Sequence, residues 1–288
     1  MRVVDTGDPT KRDPSGTDLS GHDLRGEDFG GANLDGARLA GANLEYATLD
    51  DASLIGADLT GAVLADADMR NADLRHAKLH RADLELATLN GSNLNDADLS
   101  HAKLLRTSAT GTRFRGSNLN YADLRGADLT EAILSGASLV EADLEHTIMT
   151  DAVLDGADLS GANIYGTVMV SARSTGATLN AARLDEASLR GADLTGASLR
   201  DARLYLVDLT DADLTDADLA TTELDRVVLS GARLIRTALP PISSMARVSW
   251  TDGTDWNGCR DEIFRRSIRL GEHEFLLNPD GRDGQPNA

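Results

Sequence analysis

The sequence predicts an all-β solenoid, a coil with four flat sides closed at its C-terminal end by a small helical cap. Three observations lead there. An apolar residue falls at nearly every fifth position from Leu19 to Leu239, giving 45 repeat centres in one frame without an insertion or deletion. Leu fills 37 of those centres, and a small residue sits two positions before nearly all of them, Ala in 32 of the 45 repeats. Aromatic residues make up only 3% of the chain, so the interior must be narrow and filled by one repeated pair rather than by large rings.

A period of five fits neither a 3.6-residue helix nor a two-residue strand. It fits a chain that turns a corner every five residues. The small residue and the Leu, two apart, point the same way, as in a short strand, and the residue between them points outward. The next two residues make the corner. Gly takes the second of these corner slots 19 times, as at Gly21, Gly56, Gly91, Gly156 and Gly191. A type II turn needs a positive φ there, which Gly adopts at little cost. Four such sides close one coil, so each residue should stack on the one four repeats further along. Asp18, Arg38, Asp58, Lys78 and Asp98 alternate in sign at that spacing, as do Asp83, Lys103 and Asp123. Core exceptions share one register too: Phe29, Met69, Ala109, Met149 and Met169. The expected rod has about eleven coils and, at about 4.8 Å per rung, a length of roughly 54 Å.

The unit Ala-(Asp/Asn)-Leu-x-x, plain in Gly41-Ala42-Asn43-Leu44 and Gly126-Ala127-Asp128-Leu129, resembles the pentapeptide repeat family over about three quarters of the chain. The resemblance implies a right-handed quadrilateral β-helix. It also implies a non-enzymatic role. Members with a well-understood role are acidic rods that occupy the DNA groove of gyrase, a type II topoisomerase, and protect it from antibiotics. Others have no assigned role and stand as general protein-interaction scaffolds.

The ends depart from the frame. Residues 1–16 are expected to be a loosely attached arm, residues 17–241 the β-helix, and residues 242–288 a capping or dimerisation segment. Pro240-Pro241 lack N–H donors and should stop the ladder. Trp256, Cys259, Ile263, Ser267 and Leu270 fit one helical face, flanked by Phe264 and Ile268. Asp255 or Asn257 is the expected N-cap, and Gly271 the expected stop. A short strand is expected at Glu274 to Leu277. Trp256, Ile263, Phe264, Ile268 and Leu270 are the candidate cap or homodimer contacts, and Cys259 is expected to be a buried thiol. The resemblance adds that some members pair through a C-terminal helix. Two stretches, 107–111 and 171–175, weaken the repeat and suggest either a bend or simple drift in the core.

The formal net charge is −19. Such a surface repels nucleic acid and anionic membrane and favours basic partners. No apolar run approaches the roughly 18 residues of a membrane-spanning helix, the start of the chain has no signal-peptide core, and the single cysteine excludes an internal disulfide. A cytoplasmic protein is therefore expected. No phosphate loop, nucleophile elbow or metal-ligand spacing occurs, so no enzyme, cofactor or metal is expected. His76, His80 and His101 come near one another in the coil and read as surface decoration. Asp201, Asp208, Asp211, Asp213, Asp216, Asp218, Glu223 and Asp225 fall in a stretch that holds one basic group, Arg203. They are the candidate contacts for a basic groove. Magnitude tempers the idea: 19 net charges over about 54 Å is about one per 3 Å, against one per about 1.7 Å in duplex DNA. A continuous acidic stripe on one side would favour mimicry of DNA. Acid on all sides, with exposed Ile133, Ile148, Val153 and Val168, would favour a protein-binding scaffold.

Overall fold

The computed structural model describes residues 13–256 and 258–278. Most of the arm expected at 1–16, and Asn257, lie outside them. The repeat folds as stacking at four-repeat intervals requires. Parallel bridges join Asp18 to Arg38, Arg38 to Asp58, and onward at the same spacing to Asp218 and Ala238. Each face of the coil is therefore a parallel ladder one residue wide per rung. Only one pair of rungs extends to strands, β1 (Arg203–Tyr205) and β2 (Glu223–Asp225), in register Leu204 to Leu224. We number the faces by their first rungs: Asp18 on the first, Asp23 on the second, Asp28 on the third, Asn33 on the fourth.

Hydrogen bonding explains the five-residue motif position by position. The Leu N–H donates to the next coil, as from Leu39 to the Asp58 carbonyl at 2.7 Å. The Leu carbonyl accepts from the N–H three residues on, as from Ala42 to Leu39 at 3.0 Å, which closes the turn. The second corner residue has φ near +60° whether or not it is Gly, for example Gly41 at 64° and Ala181 at 56°. The N–H of the first corner residue has no ladder partner. The outward Asp or Asn two positions earlier accepts it, as Asp58 does from Thr60 at 3.1 Å and Asn43 from Glu45 at 3.1 Å. At several places where that position is not Asp or Asn, a corner Asp or Asn of the preceding coil takes over, as Asn90 accepts from Thr110 at 2.9 Å. The abundant Asp is thus first a backbone partner.

Inside, the Leu centres and their Ala partners are fully buried along the coil. Thr replaces Ala at several places, and its hydroxyl donates to the Leu carbonyl of the coil below, as from Thr147 to Leu124 at 2.9 Å. At 107–111 and 171–175 the ladder passes through without a bulge, with Ser108 bridged to Asp128 and Arg173 to Asp193. The weak repeats are core drift. At the first coil the inward small position holds Thr17, His22 and Glu27, all exposed. Polar residues there suit a coil that, among the described residues, has a repeat neighbour on one side only.

The C-terminal end differs from expectation. The ladder does not stop at Pro240-Pro241. After a 3-10 turn at Ile242–Ser244 the bridges continue, Asp225 to Ala246, Val228 to Ser249 and Arg233 to Asp255, with the spacing stretched first by one position and then by two. One inserted residue at the proline corner and a second before Thr254 let Met245, Trp250 and Trp256 stand where Leu would. All three are buried. The expected helix is only α1 (Arg260–Arg265), with Cys259 rather than Asp255 at its N-cap and its end at Arg266 rather than Gly271. Trp256 belongs to the coil before it, and Ile268 to β4 (Ser267–Arg269) after it, where β3 is the strand Ser249–Thr251. Cys259 is exposed, not buried. The strand expected at the end forms as β5 (Glu274–Leu277). It lies antiparallel between β4 and β3, so the last coil contributes one strand to a three-stranded sheet in the order β3-β5-β4. Phe275 of β5 stacks on Trp250 with centroids 4.4 Å apart. No helix among the described residues is long and apolar enough to cross a membrane.

Candidate functional site

The interior is filled with Leu and Ala, so chemistry is available only on the outer faces and corners. Among the described residues no three His, Cys, Asp or Glu side chains are placed to hold a metal ion. His80 and His101 meet edge to face at 5.5 Å, His101 stacks on Tyr121 at 4.9 Å, and His80 shares a hydrogen bond with Ser100 at 2.9 Å. His76 faces Asp96 on another corner, at 4.0 Å.

The eight candidate acids are spread around all four faces rather than gathered on one. Asp218 lies on the first face, Glu223 on the second, Asp208 on the third and Asp213 on the fourth; Asp201, Asp211, Asp216 and Asp225 sit at corners. Five of them are paired with arginine. Asp208 meets Arg190 at 3.0 Å, Asp213 meets Arg233 at 2.9 Å, and Asp216 meets Arg236 at 2.5 Å. Asp218 meets Arg200 and Asp225 meets Arg247, each at 2.6 Å. Asp208, Asp213 and Asp218 also accept backbone N–H groups from Thr210, Thr215 and Ala220. These bonds leave a mark on titration. The Arg236 guanidinium holds the Asp216 carboxyl below its ordinary value, and the Ala220 N–H, against some burial, does so for Asp218. Burial opposes charge at Asp208, but bonds from Thr210 and Arg190 outweigh it and lower that carboxyl too. Most of the cluster is therefore engaged by the rod's own backbone and arginines. Glu223 borders a shallow hollow with Thr221, Pro240, Pro241 and Ser244.

Charge is least balanced on the third face and the corner that follows it. From Asp28 to Asp211 these positions carry nine acids and two arginines, Arg70 and Arg190. The stripe is broken in the middle by Ile148 and Val168. Ile148 is exposed, while Ile133, Val153 and Val168 are half-buried. Of the cap candidates, Trp256 and Ile263 are buried, Ile268 is half-buried, and Phe264 and Leu270 are exposed.

The tyrosines are a surface feature that a reading centred on acids leaves out. All four, Tyr46, Tyr121, Tyr165 and Tyr205, lie on the two corners that flank the second face. Sorting them by position within the coil would have shown this from sequence. Toward the C-terminal end, Arg183 lies over the Tyr165 ring at 5.6 Å, and Arg203 and Arg226 over Tyr205 at 5.9 and 5.4 Å. Between them Asp185, buried to 2% exposure, pairs with Arg183 at 2.7 Å and Arg203 at 3.2 Å. That carboxylate relieves the repulsion of two arginines stacked on adjacent rungs.

The pentapeptide repeats description matches the chain in overlapping segments from residue 15 to 130, from 137 to 173 and from 175 to 239, with eight copies. Among solved structures, the pentapeptide repeat protein HetL, involved in heterocyst differentiation regulation in the cyanobacterium Nostoc sp. strain PCC 7120, is 32% identical. It covers 78% of this chain and 90% of its own, with a TM-score of 0.34. Full-length QnrB1, a plasmid-mediated fluoroquinolone resistance protein, is 19% identical over 75% of this chain and 92% of its own, with a TM-score of 0.40. Rfr23 from the cyanobacterium Cyanothece 51142 is 22% identical over 52% of this chain and 90% of its own, at 0.31. No curated protein matches the chain. The unbroken five-residue frame, its four-repeat ladder and the matched repeats together place this chain in the pentapeptide repeat family, whose repeats imply a right-handed quadrilateral β-helix.

Proposed function

We propose that this protein is a non-enzymatic scaffold that binds protein partners on its outer faces. One observation carries the reading: carboxylates occur on all four faces and most candidate acids are committed to arginines or backbone N–H groups, while Ile148 stands exposed on the third face beside a half-buried Val168. The paired carboxylates of this cluster add little to the field, so the net charge of −19 is spread over the rod rather than concentrated at these candidate contacts. Contact selectivity then rests on the shape and apolar content of each face. A photo-crosslinking residue placed at Ile148 in cells should join the rod to a distinct protein. An adduct pattern identical to that from control positions on the other faces would sink the scaffold reading at that face.

A second reading has one specific observation behind it, the excess of nine acids over two arginines along the third face and its corner. In that reading the face imitates the charge of duplex DNA and occupies the DNA groove of gyrase, protecting it from inhibitors. A supercoiling and cleavage assay with and without a quinolone decides it. Unchanged supercoiling and unchanged drug-stabilised cleavage at micromolar protein would remove the reading. For either role we place the protein in the cytoplasm, and self-association through Phe264 and Leu270 on the cap. Light scattering on a Phe264→Asp, Leu270→Asp protein tests the pairing, since a mass equal to that of the parent excludes it.

A further inference from the structure

Seven large apolar side chains are exposed among the described residues: Tyr46, Leu86, Tyr121, Ile148, Leu206, Phe264 and Leu270. Four of them, Tyr46, Leu86, Tyr121 and Leu206, sit in the second corner slot with φ between 58° and 60°. A bulky side chain in that left-handed region is costly, and Gly would fit it without strain. The other non-glycine residues in such slots of the coil are polar, charged or Ala. Two independent costs, strain and exposed apolar surface, therefore coincide at four positions, and all four flank the second face. Strained backbone clusters at functional sites, so its coincidence with exposed apolar surface at these four positions motivates a search for a binding role there.

The local charge selects one of these places. On the corner after the second face, Tyr46, Asp66 and Leu86 occupy three successive rungs, with Glu45, Ala65 and Glu85 beside them. The rungs are locked in register, Tyr46 N–H donating to the Ala65 carbonyl at 3.1 Å and Asp66 N–H to the Glu85 carbonyl at 2.9 Å. Glu45, Asp66 and Glu85 form no ion pair among the described residues, unlike Asp23 and Asp83 nearby, which pair with Arg25 and Lys103. The Glu45 and Asp66 charges push the Tyr46 phenol above its ordinary value, a sign of negative potential at the ring. Arg25 bounds the strip on one side and Arg106 on the other. Tyr46 is 61% and Leu86 47% exposed.

The spacing selects the partner's shape. Tyr46 and Leu86 are two rungs apart, about 9.6 Å along the rod. Residues i and i+7 of an α-helix share a face and lie about 10.5 Å apart, with i+3 and i+4 between them. An extended strand repeats its face every second residue, at about 6.8 Å, and meets this interval poorly. Resting on the scaffold reading, we propose that this corner is a docking strip for a basic amphipathic helix of a partner protein, laid along the rod. Its apolar residues at i and i+7 pack on Tyr46 and Leu86, and its Lys or Arg residues at i+3 and i+4 face Glu45, Asp66 and Glu85.

The test uses the full chain and three labelled 15-residue peptides followed by fluorescence anisotropy. One has Leu at i and i+7 with Lys at i+3 and i+4; one has Glu in place of the Lys; one has the Lys composition with a central Pro. The Lys helix should bind at least tenfold more tightly than either control and lose affinity in high salt. The Tyr46→Gly, Leu86→Gly protein should lose at least tenfold of that affinity while melting at the same or a higher temperature, since Gly suits both corners. Equal binding of the three peptides by the parent, or equal binding of the Lys peptide by parent and variant, would overturn the proposal. A parent dimer that the double substitution dissolves would assign the strip to a second copy instead and overturn it as well. Failure here leaves crosslinking at Ile148 unaffected, and failure there leaves this strip standing.

Discussion

The repeat coils and the terminal coil bury apolar surface by different means. In the repeat, each Leu is covered by the coil above and the coil below, and Leu with Ala suffices. The coil from Met245 to Trp256 has a repeat neighbour on one side only. There Trp250 and Trp256 replace Leu and meet edge to face at 5.8 Å, while Phe275 and Phe264 of the cap pack on Trp250. A solenoid end exposes both an apolar layer and a row of unpaired backbone groups. The large rings cover the first, and β5, paired along β3, covers the second. An end must be solved by different residues from the middle, even when the ladder runs through both.

That contrast can be broken in order of expected effect. Trp250→Ala should cost about 3–5 kcal/mol and strip the cap from the rod, seen as a separate early transition in urea unfolding. A single transition shifted as a whole would show that cap and repeats unfold together. Leu124→Ala, in the middle, should cost about 2–4 kcal/mol through the cavity it leaves, without a separate cap transition. Thr147→Ala removes the hydroxyl bond to Leu124 but restores the common repeat, and should stay within about 1 kcal/mol of the parent. Ala181→Gly relieves a left-handed corner and should raise stability by up to about 1 kcal/mol, since the strain removed outweighs the added chain entropy; a fall in melting temperature would count against strain at that corner.

Acid should act on the repeats through their backbone-bonded carboxylates. Asp123 is held below its ordinary value by Arg125, and Asp193, despite burial, by bonds from Thr195 and Thr175. A carboxyl lowered in the folded state contributes stability that is full above its unfolded value of about 3.9 and is lost as pH falls through the folded value. Melting temperature should be level from neutral pH to about 4.5 and decline below about 4. A decline beginning at about pH 6 would point to histidines instead.

The middle of this molecule was legible because one position, the Leu centre, repeats in a constant frame and its stacking partner is always four repeats further on. The tail was not. Trp256, Cys259, Ile263, Ser267 and Leu270 do follow a helical period, yet Thr254-Asp255-Trp256 already forms a rung, with Thr254 donating to the Leu229 carbonyl at 2.7 Å. Tertiary pairing with β5 then draws Ser267–Arg269 into a strand. Two insertions hid the rung by breaking the count of five. The acid cluster at 201–225 was legible as composition, but its neutralisation was not, because Arg233, Arg236 and Arg247 come from the following coil and Arg190 and Arg200 from the preceding one.

The constant bridge spacing gives this rod an unusual grammar of length. Removing four repeats would delete one storey and leave every face above and below aligned. Removing one repeat would keep the core, since Leu still follows Leu, but would turn everything downstream by a quarter. The Tyr46 strip and the third-face acids beyond the cut would then stand on different sides relative to each other. A gene that gains or loses single repeats can thus re-aim its surfaces without designing a new interior.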